Sequence, residues 1–220
     1  MGPLPLAALE EELSPKRERL LRCTYQVLAE GGLRQLSLQR VADRAGVSKG
    51  ILLYYFGTKE NLVLATLRWV LARVARRIFS AVRRARSAEE KIRATIDAIF
   101  VDPKANRDFY LVYTDLLSSA ARQHRFQELS STFRGIVDAV YGQIIAEGVG
   151  EGAFRVRDVQ EAAAVMRALV DGLFLQWLQE PDPEATYAQT RERCKHALFT
   201  YLRGGEGLGT PVHPSEGVSG

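Results

Sequence analysis

The sequence predicts an all-α protein of about nine helices, with a small basic head joined through a long fourth helix to a larger, mildly acidic body. Three observations carry this expectation. Apolar residues recur at three- and four-residue spacing over most of the chain, and few stretches alternate as a half-buried strand would. Proline is confined to the first fifteen residues, Pro103, Pro181, Pro183 and the C-terminal tail, so the segments between are free to form long helices. Charge is divided unevenly. Residues 1–13 carry three acids and no base, residues 14–93 eighteen bases and six acids, and residues 94–220 twelve bases and seventeen acids. The overall +4 therefore conceals a +12 block near the N-terminus, as in a region that faces a polyanion.

Each element has a local justification. The first helix starts at Ser14-Pro15, a capping hydroxyl followed by proline at the first helical position. It ends at Gly31-Gly32 and buries Leu20, Leu21, Val27 and Leu28. A short second helix follows the cap candidate Ser37 and stops at Gly46, and a short third follows Ser48 and stops at Gly57. Thr58 caps the fourth, whose apolar stripe is Leu67, Val70, Leu71, Val74, Ile78 and Val82. Periodicity places five more at about 88–101, 106–122, 124–147, 157–180 and 184–203, with Gly148–Gly152 as a loop. The domain expectation is a flexible start at 1–13, a head at 14–62, a body at 63–203 and a disordered tail at 204–220, which holds six glycines and two prolines.

Several classes are excluded. The most apolar stretch, residues 168–179, is interrupted by Asp171, and nothing approaches the roughly 18 apolar residues of a membrane span. Glu10, Glu11 and Glu12 stand where a secretory signal would need its apolar run. Cys23 and Cys194 are too few for a disulfide framework or a cysteine-rich zinc site, so a reducing cytoplasm is the expected location. His124, His196 and His213 form no metal-ligand spacing, and no metal or cofactor is expected. An enzyme is the rival class, but no G-x-S-x-G elbow, P-loop or H-E-x-x-H pair is present.

The most informative segment is residues 37–62. Two helices of about eight residues meet at Ala45-Gly46-Val47-Ser48, a turn short enough to hold them at the steep angle of a helix-turn-helix. Val41, Ala42, Val47 and Leu52 have the spacing to fill the wedge between them. That geometry pushes the start of the third helix outward, where free amides and Lys49 favour phosphate. Gly50 lets backbone approach the floor of a major groove. Tyr54 and Tyr55 can offer hydroxyls to phosphate or base edges, and Lys59, Ser37, Gln39, Arg40 and Ser48 can reach the flanking backbone. These nine residues are the candidate contacts to double-stranded DNA.

Val41-Ala42, Ala45-Gly46-Val47-Ser48-Lys49-Gly50, Tyr54-Tyr55-Phe56, Lys59 and Leu62 together resemble the DNA-binding signature of the TetR/AcrR family of transcriptional regulators. The chain departs from the family pattern at Leu53, where relatives carry tyrosine, and at Tyr55, where many carry histidine. The hydroxyl role then falls on Tyr54 and Tyr55, while Leu53 is expected in the core, with a thymine-methyl contact as the other reading, and Ile51 is open between packing and a base contact. Glu147–Phe154 and Val170–Trp177 are similar to segments of the BetI-type branch, which includes a choline-responsive repressor but has varied ligands.

The resemblance implies a homodimer whose heads occupy successive major grooves of a near-palindromic operator, repression as the default, and release by a small-molecule effector that displaces the fourth helix. It directs attention to two features of the body. Small and apolar residues at helical spacing mark a dimer face, with Ala164, Ala168, Gly172 and Leu175 on one helix and Cys194, Ala197, Leu198 and Tyr201 on the next. Aromatic and thioether side chains mark an effector pocket: Trp69, Phe100, Phe109, Tyr113, Phe133, Met166, Phe174 and Trp177, with Tyr110 and Tyr141 as further candidates. Tyr113, Asp115, Arg134 and Gln143 are polar candidates to orient a ligand. The arginines from Arg68 to Arg86 read as a solvated face that strengthens the field around the head, with contact to a phosphorylated effector as the other reading. An architectural DNA binder without an effector is the alternative, and it predicts a solid body.

Overall fold

The computed structural model describes Leu9 and residues 13–204, which form nine helices and no strand. They are α1 (Pro15–Gln35), α2 (Leu38–Ala45), α3 (Lys49–Phe56), α4 (Lys59–Val82), α5 (Ala88–Ile99), α6 (Pro103–Ala120), α7 (His124–Gly150), α8 (Val159–Trp177) and α9 (Pro183–Leu202). Most of both expected flexible ends lies outside the described residues. Leu9, assigned to the flexible start, is buried at 2% exposure.

Side-chain caps set most of the starts. Ser14, Ser37, Thr58, Ser87, Asp102, Asp158 and Asp182 each accept a hydrogen bond from the backbone N–H three residues on. Asp102-Pro103 starts α6 earlier than periodicity alone placed it. Gly32, at φ 67° and ψ 177°, breaks α1 where the glycine pair was expected to end it, and one further turn continues to Gln35.

The expected loop at 148–152 is incorrect in its first half, since α7 continues through Gly150. Gly148 and Gly150 keep helical backbone, and the turn comes at Gly152, at φ 74°. The N–H groups of Ala153 and Phe154 both return to the Gly148 carbonyl. This lays the Phe154 ring where a Cβ on residue 148 would stand, at 2.0 Å from its nearest carbon. Lys91 pairs with Glu147, and the Ala88 N–H donates to Glu151 at 3.0 Å, so α5 holds the same end.

Helices α1, α2 and α3 form the head. Helix α4 leaves it, packs on α1 and α3, and continues into the body against α5 and α7. Helices α6, α7, α8 and α9 pack in sequence, and α6 also lies along α1. Among the described residues no helix is long and apolar enough to cross a membrane.

Candidate nucleic-acid interface and effector pocket

The head is built to hold α3 rigidly while leaving its face open. Gly46 closes α2 in the left-handed region, at φ 61°, and donates its N–H to Ala42 and Asp43. Arg19 on α1 donates to the Ala45 carbonyl at 2.9 Å, and the Arg44 guanidinium meets the Glu30 carboxylate through two bonds of 2.6 and 2.7 Å. Val41, Ala42, Ala45, Leu52 and Phe56 are buried beneath the turn.

The outer face of α3 has little structural employment. Lys49 and Gly50 are exposed, and Tyr54 is 82% exposed. Ser48 makes no side-chain cap bond, unlike the residues that start most other helices, so the Lys49 and Gly50 amides stay open while that of Ile51 donates to the Ser48 carbonyl at 3.0 Å. A Cβ on Gly50 would meet only the Ser48 hydroxyl, at 3.7 Å, an ordinary contact. The fold therefore does not require glycine there. Leu53 departs from the expected core position and is 40% exposed, while Ile51 is half-buried against the core.

The remaining candidates ring this face with their side chains partly engaged. Tyr55 is half-buried, edge-on to Tyr54 at 5.3 Å between centroids, with Lys16 Nζ 5.8 Å above its ring. Ser37 caps α2 through the Arg40 N–H, Gln39 donates to Asp43 at 2.7 Å, and Arg40 donates to the Gln35 carbonyl at 3.2 Å. Lys59 is exposed at the first position of α4.

Within the body, α4, α6, α7 and α8 border a small, partly open pocket of about 40 Å³, room for a few waters at most. Phe109, Tyr113 and Phe133 line it, with Tyr110, Tyr141, Val74, Ile78, Asp171 and Arg167, whose guanidinium is held by Asp138 at 2.7 Å. Phe109 stacks on Tyr113 at 5.5 Å, and Tyr110 on Phe174 at 4.2 Å. Phe100 and Phe174 form a second layer, stacked at 4.3 Å. The other five expected residues, Phe100 and Phe174 included, do not line the pocket. Trp69 lies on outer clefts beside Tyr25 and Arg73. Trp177 packs on Tyr187 and donates its indole N–H to Pro183 at 2.6 Å, while fully buried Met166 does not line the cavity.

The residue that sets the chemistry of the box is Asp171. Burial pushes its carboxyl up to about 6, partly offset by Arg167 and by the Tyr110 hydroxyl, which donates at 3.3 Å. Burial likewise raises the Tyr110 and Tyr141 hydroxyls. A half-desolvated carboxylate among ring faces favours an organic cation. Its sequence signal was present: one acid interrupts the most apolar stretch of the chain.

The polar ligand candidates other than Tyr113 lie elsewhere. Asp115 accepts from the Leu33 N–H at 2.8 Å, fastening the break in α1 to α6. Arg125 on α7 makes the second such link, at 2.8 Å to Glu60 and 3.0 Å to Asn61 on α4. Arg134 is exposed and bonded to Ser131, and Gln143 does not line the cavity.

On α8, Ala168 and Leu175 are exposed and Ala164 and Gly172 half-exposed, with open space where a Cβ on Gly172 would stand. Ala197 and Tyr201 on α9 are partly exposed. Cys194 and Leu198 are corrected: both are 0% exposed within this chain's own core, where burial raises the Cys194 thiol to about 12.

A basic helix-turn-helix head on a helical body defines a class of DNA-binding transcription factor. Comparison with known proteins agrees. The model of bacterial regulatory proteins of the tetR family matches residues 20–66, and that of the C-terminal part of BetI-type transcriptional repressors matches residues 88–203. The chain belongs to the TetR family of transcriptional regulators, with a BetI-type C-terminal region.

An HTH-type transcriptional regulator BetI of Burkholderia cenocepacia is 31% identical over 167 residues, covering 73% of this chain and 80% of the relative. One from Burkholderia mallei is 30% identical over 178 residues, covering 79% and 87%. Two solved structures share the fold. A TetR transcription regulator from Haloarcula marismortui has a TM-score of 0.76 at 24% identity, covering 86% of this chain and all of that one. A transcriptional regulator from Saccharomonospora viridis, solved in complex with choline, has a TM-score of 0.79 at 20% identity, covering 86% and 98%.

Proposed function

We propose that the protein is a homodimeric repressor that binds a near-palindromic DNA operator in the cytoplasm and releases it when an organic cation enters the aromatic box. The reading divides the chain into a DNA-binding head at 14–62 and an effector-binding and dimerisation body at 63–203. The observation that carries it is the leading end of α3: Lys49, Gly50 and Tyr54 are exposed, uncapped and unneeded by the core, inside the basic part of the chain. The open amides and Lys49 engage phosphate, Gly50 admits the backbone to the groove, and Tyr54 reaches base or phosphate. Leu53, exposed beside them, suits a thymine methyl. Arg40, Gln39, Ser37, Ser48, Tyr55 and Lys59 fix the register on the flanking backbone.

Dimerisation uses the stripe Ala164, Ala168, Gly172 and Leu175 with Ala197 and Tyr201, whose small side chains let helices of two copies approach closely. The two heads then stand at a fixed separation and read two half-sites. The cation reading rests on Asp171 among Tyr110, Tyr113, Phe109 and Tyr141, and the choline complex of the Saccharomonospora viridis protein supports it. At about 40 Å³ the box must widen for a ligand to enter. The helices that part are α4, which runs into the head, and α6, whose Asp115 holds the end of α1. An effector that prefers the parted arrangement shifts the heads by its differential affinity alone.

The test is selection of bound sequences from random DNA with the purified protein, followed by titration of the recovered duplex with choline present as a probe cation. The reading expects two inverted half-sites and weakened binding with the cation. Failure to enrich any sequence overturns the DNA-binding assignment, and enrichment of a single unpaired half-site overturns the dimer.

A further inference from the structure

The aromatic box has a charged porch. A solvent-open cleft of about 460 Å³ lies between α1, α4 and α6 and is lined by Arg22, Arg73, Arg77 and Lys104, against Asp102 and Asp108. Both acids are already employed: Asp108 holds Lys104 at 2.6 Å, and Asp102 caps α6. Val74 and Phe109 line the cleft and the box alike, so a single wall separates the two spaces.

Arg77 is the group in this cleft with unmet capacity. Its Nε donates to the Ala98 carbonyl at 2.6 Å, which fixes the guanidinium at the cleft wall. Among the described residues no carboxylate lies within 4.0 Å of it. The packed surroundings cost it hydration and hold its pKa below the usual arginine value, although the side chain remains accessible from the cleft. A partly dehydrated guanidinium with its fork open is a preformed seat for a carboxylate or phosphate. Arg77 follows Val74 by three residues, about 4.5 Å along α4, so an anion on Arg77 stands close to a cation inside the box.

We propose that the effector is a zwitterion, its cationic group enclosed by the box against Asp171 and its carboxylate or phosphate, on a short tether, held by Arg77 in the cleft. This rests on the reading of the box as a cation site and adds a second recognition point of opposite sign. Asp171 gives the box its preference for positive charge, and Arg77 selects among cations for those that also carry an anion. The two anchors span the wall formed by α4 and α6, so one ligand grips both sides of the helices that lead to the head.

The experiment is calorimetric titration of the full chain with a matched pair of probes, choline and phosphocholine, with inorganic phosphate as the third. Phosphocholine is expected to bind at least tenfold more tightly than choline. Arg77→Met is expected to erase that advantage while leaving choline unchanged, and Asp171→Asn to weaken both. Equal or weaker binding of phosphocholine by the wild type, with choline bound, overturns the zwitterion and leaves the cation box standing. An advantage that persists in Arg77→Met also overturns it. If neither cation binds, the cation box itself is wrong and the proposal falls with it. The wild-type comparison decides without any variant, should Arg77→Met fail to fold.

Discussion

The exposed face of α3 and the aromatic box of the body assign their residues differently. On α3 the proposed contacts have almost no structural duty: Tyr54 is 82% exposed, and Gly50 could carry a Cβ without a clash. In the box the rings that would meet a ligand also fill the core, since Tyr110 is 3% and Tyr141 2% exposed, and Phe174, 0% exposed, stacks behind Tyr110. Function is separable from stability in the first region and fused with it in the second. Substitutions in the two regions should therefore fail in different ways.

The sharpest contrast is in the body. Phe174→Ala removes a buried ring and should cost about 3–5 kcal/mol, lowering the melting temperature by on the order of 10 °C and abolishing cation binding. Thermal denaturation with and without choline reads both losses. Retained stability would mean that the box is not core, and the comparison would break. In the head, Lys49→Ala and Tyr54→Ala should each weaken operator binding about a hundredfold with the melting temperature unchanged, as fluorescence anisotropy and a melt on the same sample would record.

Gly50→Ala sharpens the comparison further. Alanine is the better helix former by up to about 1 kcal/mol, so stability should hold or rise slightly. Operator affinity should still fall about tenfold, because a methyl group stands between backbone and groove. A variant that is both stable and fully active would show that the missing Cβ serves nothing.

A pH titration separates stability from cation binding by sign. Asp171 keeps its proton up to about 6, above the usual 3.8, so between these values the folded chain holds more protons than the unfolded one. Its contribution to stability therefore declines as pH rises through that window. Cation binding needs the carboxylate and moves the opposite way, weakening up to tenfold per unit as pH falls below about 6. Tyr110, Arg167 and Asp138 are the other ionisable groups acting on it. Choline affinity measured across this range and found flat would remove Asp171 from the site. The smallest effect is expected for Lys59→Ala, a uniform loss on all sequences with the salt slope reduced by about one per head.

The same division governs what could be read from the sequence. Helix starts were legible because a hydroxyl or carboxylate before a helical run has one local job, as at Ser37, Thr58 and Asp158. The α2–α3 turn was legible because Gly46 needs a left-handed backbone. The end of α7 was not, because Gly148 stays helical for a tertiary reason, the Phe154 ring resting against it. In the body, periodicity identifies buried faces but not which buried rings border empty space. Phe109 and Phe133 border the cavity, whereas Trp177 spends its face on Tyr187. Asp171 is conspicuous in the sequence as the one acid in the most apolar run, but an acid in such a run reads equally as an interruption until the fold shows it half-buried among rings.

The most direct test is binding-site selection carried out in parallel with the wild type and Lys49→Ala, both checked for equal melting temperature. The account predicts that the wild type enriches an inverted pair of half-sites about one helical turn or a small multiple apart, and that the variant binds that motif about a hundredfold more weakly. The same motif recovered at the same strength by the variant would contradict the account.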